Sequence, residues 1–82
     1  MKRKNIVGLR IRKARKEAGI TQQKLATKLQ LMNIMIDRSA IAKIEIGIRP
    51  ASDVEIAAIS RILKIPVSWF FDDSDEFFRN LE

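Results

Sequence analysis

"TQQKLATKLQLMNIMIDRSAIAKIEIG", residues 21–47, holds two helical patterns separated by an apolar run. Thr21 can cap a helix whose Leu25, Ala26 and Leu29 fall on one face. Asp37 can cap a second, in which Ala40, Ile41 and Ile44 share one side. Arg38, Ser39, Ala42, Lys43 and Ile46 then fall on the other side, and Gly47 can close the helix. The run between them, "QLMNIMI" (30–36), lacks Gly and Pro, which leaves its shape open. A short helix with small residues and two cations on its outer face needs an explanation from the rest of the chain.

Outside this stretch the pattern stays helical. Asn5 can cap a first helix with Val7, Ile11, Ala14 and Ala18 inward and Arg10, Arg12, Lys13 and Lys16 outward. Gly19 suits the left-handed residue that ends it, with Ile20 folding back on the last turn. "IRPA" (48–51) reads as a connector, because the residue before Pro50 avoids helical angles. Ser52 and Glu55 form a capping box for a fourth, largely buried helix with Val54, Ile56, Ala57, Ile59, Ile62 and Leu63. Pro66 permits a fresh start for a short fifth helix, "VSWFF" (67–71). No alternating strand pattern exceeds four residues, so the fold class is all-α. The folded unit is read as residues 1–71, followed by an acidic tail, 72–82, that carries Phe77, Phe78 and Leu81.

The 82 residues point to one domain with a modest core, since a chain of this size buries roughly 60–65% of its unfolded surface. Charge is unevenly spread: residues 1–49 carry 13 Lys/Arg against Glu17, Asp37 and Glu45, for +10, whereas residues 50–82 sum to −4. Such asymmetry suits a molecule with one end facing a polyanion. The chain has no His, Cys or Tyr, which removes disulfides, thiolate metal sites and the commonest general base. No catalytic residue, cofactor or metal site is therefore expected. The tail acids Asp72, Asp73, Asp75 and Glu76 lack the glycine turn of a calcium loop. No window reaches the ~18 apolar residues of a membrane span. The charged start, "MKRKNIVGLRIRKARKE", has no apolar leader core, so a cytoplasmic protein is expected.

Two short helices joined by a turn make a helix-turn-helix candidate, in which the second helix enters the major groove. That groove is ~12 Å wide, so the exposed face must carry modest side chains and a few donors. Arg38, Ser39, Ala42 and Lys43 meet this demand. Arg and Lys favour guanine O6 and N7, and an alanine methyl suits thymine. An ordinary surface helix of mixed polarity remains the competing reading of these residues alone.

The chain resembles the phage-repressor and Cro-like helix-turn-helix family of bacterial DNA-binding proteins, also called the xenobiotic-response-element family. "RIRKARKEAGITQQKLATKL", "RSAIAKIEIGIRP" and "ILKIPVSWFF" carry the resemblance, in that order, over about residues 7–71. It implies a five-helix, lambda-repressor-like domain with the motif on helices 2 and 3. It implies a sequence-specific, double-stranded DNA-binding transcriptional regulator, most often a repressor, acting as a homodimer on a pseudo-palindromic operator. Arg38, Ser39, Ala42 and Lys43 match the base-reading positions. Gln22 matches a glutamine that caps a phosphate, and Arg49 lies in the loop where the family often places phosphate contacts. Thr21 and Lys24 are further candidate phosphate contacts from their place at the start of helix 2. Arg15 and Glu45 match an ion pair that ties the first helix to the end of the third.

Three features depart from the family pattern. Gln30 replaces a glycine and Leu31–Met35 add five residues, so the turn is lengthened or helix 2 runs on. Met32 and Ile36 would continue the Leu25/Leu29 stripe, which favours extra core over a dimer or ligand patch. Ile46 and Ile48 stand where relatives carry polar residues, and Lys24 replaces a frequent acid. "KRK" (2–4) could be an arm that reaches DNA or a solvated terminus. "SWFF" (68–71) is expected to pack on the core, at an end that frequently contributes to dimers in the family. The alternative function is an antitoxin or protein-interaction module on the same fold, binding a protein partner through the acidic tail or the apolar insert.

Overall fold

The computed structural model describes residues 3–72. Readings of Lys2 and of the tail beyond Asp72, including Phe77, Phe78 and Leu81, lie outside the described residues. Five helices form among them: α1 (Gly8–Glu17), α2 (Gln22–Leu31), α3 (Arg38–Glu45), α4 (Asp53–Leu63) and α5 (Val67–Phe70). The described residues contain no strand, as an all-α chain requires.

The starts follow local chemistry. Thr21 Oγ1 accepts from the Lys24 amide and Asp37 Oδ1 from the Ala40 amide, at 3.0 and 2.8 Å. Ser52 and Glu55 close a reciprocal capping box. The first helix starts later than its sequence suggests, at Gly8 with Val7 rather than Asn5 in the N-cap position. Asn5 Oδ1 still accepts from the Gly8 amide at 2.7 Å and so meets one of the unpaired donors that open α1.

The ends share one device. Gly19, Asn33, Gly47 and Lys64 each adopt positive φ, between 58° and 85°. The next residue in each case is an isoleucine, whose amide donates back to a carbonyl five residues earlier. Ile20 thus bonds Arg15, Ile34 bonds Leu29, Ile48 bonds Lys43 and Ile65 bonds Ser60. Each reversal satisfies orphan carbonyls, and Ile20, Ile34 and Ile65 also pack against the core.

This device resolves the insert. Helix α2 gains only one residue beyond Gln30, and then Asn33 reverses the chain. Gln30 Nε2 donates to the Ile36 carbonyl at 3.0 Å and pins the far side of the loop. Ile36 is buried and Ile34 half-buried, so part of the insert is core. Met32 is exposed, contrary to its expected place on the stripe, because the helix that would have carried it inward has already ended. Leu31 and Met35 are 82% and 79% exposed.

The core joins Val7, Ile11 and Ala14 of the first segment to Leu25, Ala26, Leu29, Ile36, Ile41, Ile44, Ile56, Ala58, Ile59 and Phe70. Helix α3 packs on α1 and α2, and α4 packs on α1, α2 and α5. Four expectations need correction. Arg10 is only 2% exposed rather than outward. Its guanidinium lies 4.6 Å from the Trp69 ring centroid, and Nη1 donates to the Trp69 carbonyl at 2.7 Å. A flat cation can be buried when an aromatic face and a carbonyl receive it. Ala18 is exposed, since α1 ends at Glu17 and the chain turns away. Val54 and Ala57 of α4 are exposed as well, and Ala58 takes the inward position beside Ile59. Helix α5 stops one residue early, at Phe70, with Phe71 exposed.

Candidate functional site

An eight-residue helix is too short to hold itself together in water, so α3 depends on its anchors. Ile41 and Ile44 are both buried on the side facing α1 and α2. Arg38, Ser39, Lys43 and Ile46 are exposed on the opposite side, and Ala42 is half-buried between them. The outward face is therefore low, with long cations at its margins.

Two open grooves flank that face. One of about 440 Å³ is bordered by Arg12, Gln22, Arg38 and Ile46, with the Arg15–Glu45 pair behind them. The other, of about 540 Å³, is bordered by Gln22, Gln23, Asp37, Arg38 and Ser39. Gln22 and Arg38 border both, which places the start of α2 beside the start of α3. Arg12 and Arg38 stand in the first groove beyond the neutralised Arg15–Glu45 pair, so that groove favours an anion, whereas in the second Asp37 balances Arg38.

Glu45 organises the wall between α1, α2 and α3. Arg15 Nε and Nη2 donate to its two oxygens at 2.8 and 3.0 Å. Arg15 Nη1 donates to the Ile20 carbonyl at 2.9 Å, which holds the α1–α2 turn. Gln22 Nε2 donates to Glu45 Oε1 at 3.1 Å. The Arg15 and Glu45 side chains are 9% and 1% exposed. The bond to Glu45 raises the Arg15 pKa above the usual arginine value, against the opposing effect of burial. One amide hydrogen of Gln22 is engaged, and the second can serve a ligand.

The remaining sequence-derived positions divide. The Thr21 hydroxyl oxygen caps α2, yet its O–H can still donate outward. Lys24 is exposed on the first turn of α2. Arg49 is committed elsewhere: Nη1 and Nη2 donate to the Glu55 oxygens at 3.0 and 2.9 Å. Nη1 also donates to the Pro50 carbonyl. The Glu55 bond raises the Arg49 pKa, and the Arg49 bond holds the Glu55 carboxyl below its usual range. Arg49 thus braces the α3–α4 loop rather than extending freely from it.

Two contributions were not read as such from sequence. Arg12 borders the groove at Gln22 and Arg38, and its signal was its place one turn before Arg15 on a basic helix. The start of the chain folds onto the end of α3. Arg3 Nη2 donates to the Glu45 carbonyl and the Lys4 amide to the Gly47 carbonyl, both at 2.7 Å. Arg3 is therefore part of the α3 mounting, not a free arm.

Among the described residues, no group of three or more His, Cys, Asp or Glu is placed to hold a metal ion. No helix there is long and apolar enough to cross a membrane. No curated protein and no solved structure shows significant similarity to the chain. A family model described as helix-turn-helix matches residues 11–70, from the first turn of α1 to the end of α5. The chain belongs to the Cro/C1-type helix-turn-helix family of DNA-binding regulators.

Proposed function

We propose that the protein is a sequence-specific transcriptional repressor that inserts α3 into the major groove of double-stranded DNA. One observation carries this reading: the exposed side of α3 offers Arg38, Ser39 and Lys43 around the low Ala42 surface, with Ile41 and Ile44 fixed in the core. Arg38 and Lys43 are the donors for guanine, Ser39 is the adaptable contact and Ala42 receives a thymine methyl. Thr21, Gln22 and Lys24 hold phosphates at the start of α2, with Arg12 as an added contact across the groove. Arg49 would act on a phosphate only by sharing its guanidinium with Glu55.

Residues 1–71 are the reading unit and 72–82 a separate acidic tail. A homodimer would set two α3 helices one turn of DNA apart, ~34 Å, on a pseudo-palindromic operator in the cytoplasm. Occupancy of the promoter is then sufficient for repression.

Mobility shifts on a duplex selected from a random library, against a scrambled duplex, test this. Arg38→Ala and Lys43→Ala should each weaken binding to the selected duplex by ~1–3 kcal/mol. Gln22→Ala should weaken both duplexes alike. Equal loss on both for Arg38→Ala would reduce Arg38 to a phosphate contact.

A second reading, a protein-interaction module of antitoxin type, is favoured by exposed Leu31 and Met35 and by Val54, 61% exposed on α4. A stoichiometric partner lost on Met35→Lys, together with no selectable duplex, would replace the first reading.

A further inference from the structure

Three hydrogen bonds converge on one side chain at the start of the chain. Asn5 Oδ1 accepts from the Gly8 amide, which caps α1. Its Nδ2 donates in the other direction, to the Ile44 carbonyl at 2.9 Å and the Arg49 carbonyl at 2.8 Å. Both hydrogens of the amide are therefore spent on α3 and the loop that leaves it. These partners lie 39 and 44 residues away in the chain.

The surroundings reinforce the tie. The Lys4 amide holds the Gly47 carbonyl and Arg3 Nη2 holds the Glu45 carbonyl. Helix α1 approaches so closely that a Cβ on Gly8 would sit 2.1 Å from the Ile44 carbonyl oxygen. A Cβ on Gly47 would meet the Arg3 side chain at 2.7 Å. The last carbonyls of a helix lack intrahelical partners, and here residues 3–5 supply donors to two of them, Ile44 and Glu45, and to Gly47 and Arg49 just beyond.

We infer that Asn5 is a positioning residue for DNA reading: it fixes the tilt of α3 by tying the C-terminal end of that helix to the start of α1. This rests on the DNA-reading function proposed above. The Arg38 end of α3 is set by the Asp37 cap and the Gln30–Ile36 bond. The opposite end is set by Asn5 and its neighbours. Displacement there rotates Arg38 and Lys43 against the base edges without touching either side chain. Of the phosphate contacts on α2, Thr21 and Lys24 stand on that helix without a bond to this end of α3, and Gln22 alone is joined to it, through Glu45.

Two variants separate this role from simple capping. Asn5→Asp keeps an oxygen for the Gly8 amide and removes both donors to Ile44 and Arg49, and Asn5→Ser keeps an oxygen but has only one, shorter-reaching hydrogen in their place. Ile59→Val, in the core on α4, serves as a destabilised control. Binding is measured by fluorescence anisotropy at a temperature where circular dichroism shows every variant folded. The probes are the duplex selected by the unaltered chain and a scrambled duplex of the same composition. Both Asn5 variants should lose about tenfold on the selected duplex, the scale of one base contact, and less than about twofold on the scrambled one. Ile59→Val should leave the ratio unchanged. Arg3→Ala, which keeps Asn5 intact, should move the ratio the same way by a smaller factor. An unchanged ratio, or equal loss on both duplexes, overturns the positioning role while base reading stands. If the unaltered chain selects no duplex at all, base reading falls and the positioning role with it.

Discussion

A carboxylate on a side chain 1% exposed at the end of a helix has to be matched closely, because the cost of its desolvation is large. Glu45 is matched by three donors, two from Arg15 and one from Gln22. Removing it leaves the Arg15 guanidinium buried with only the Ile20 carbonyl to receive it and no counter-charge, so Glu45→Ala should destabilise the fold by about 3 kcal/mol. Replacing both partners by apolar residues, Arg15→Met with Glu45→Leu, should restore most of that loss in urea unfolding. A double substitution as damaging as the single one would show that the pair does more than neutralise itself. The second ion pair gives a pH prediction. The Glu55 carboxyl is held below its usual range, first by the Arg49 hydrogen bond and then by the Ser52 contacts, against desolvation. Its folded pKa is depressed, so its contribution is complete above the ordinary glutamate value of 4.5 and fades as pH falls through the lower folded value. Thermal melts of Glu55→Gln and the unaltered protein should therefore differ most near neutrality and converge as pH drops below that value. A constant gap across the acid range would assign the stability of this corner to packing.

The four shared helix endings are the clearest feature at the level of elements. Gly19 and Gly47 adopt positive φ without penalty, but Lys64 and Asn33 do so with a Cβ. Lys64→Gly should therefore raise stability by about 0.5–1 kcal/mol, seen as a higher melting temperature, and Asn33→Gly by less, since asparagine tolerates this region. Gly8→Ala should act oppositely and lose about 1–3 kcal/mol, because the new methyl meets a backbone carbonyl that cannot yield cheaply. These endings also show what was legible in the sequence. Capping residues act within three or four positions, so Thr21, Asp37, Ser52 and Glu55 could be read directly. Gly19–Ile20 was legible for the same reason. Asn33–Ile34 and Lys64–Ile65 repeat its pattern, but their left-handed residues are not glycine, so the loop after α2 stayed open. The outward face of α3 followed from periodicity, because its inward residues are plain isoleucines. Arg10 was misplaced because its partner, Trp69, is 59 residues away and no local spacing encodes that contact. The two outward bonds of Asn5 escaped for the same reason, although its local bond to the start of α1 did not.

The charge of the whole molecule sets how such a small domain finds and holds a polyanion. Residues 1–49 carry +10 and include α1, α2 and α3, whereas the remainder of the chain carries −4. The basic half draws DNA toward the grooves beside Gln22 and Arg38. Each phosphate neutralised releases counterions, so the logarithm of affinity should fall with the logarithm of salt by about 0.9 per contact. Cations bordering the site should contribute to that slope, and cations elsewhere should not. Arg12→Ala and Lys24→Ala should each flatten the slope by about 1 on selected and scrambled duplexes alike. Arg61→Ala, on α4 and outside both grooves, should leave the slope unchanged while shifting the net charge by the same unit. The comparison separates a local footprint from the general attraction of a basic protein, because all three substitutions alter the total charge equally. If Arg61→Ala flattened the slope as much as Lys24→Ala, the contact surface would have to extend to α4. The α1–α2–α3 face would then be only part of what DNA touches.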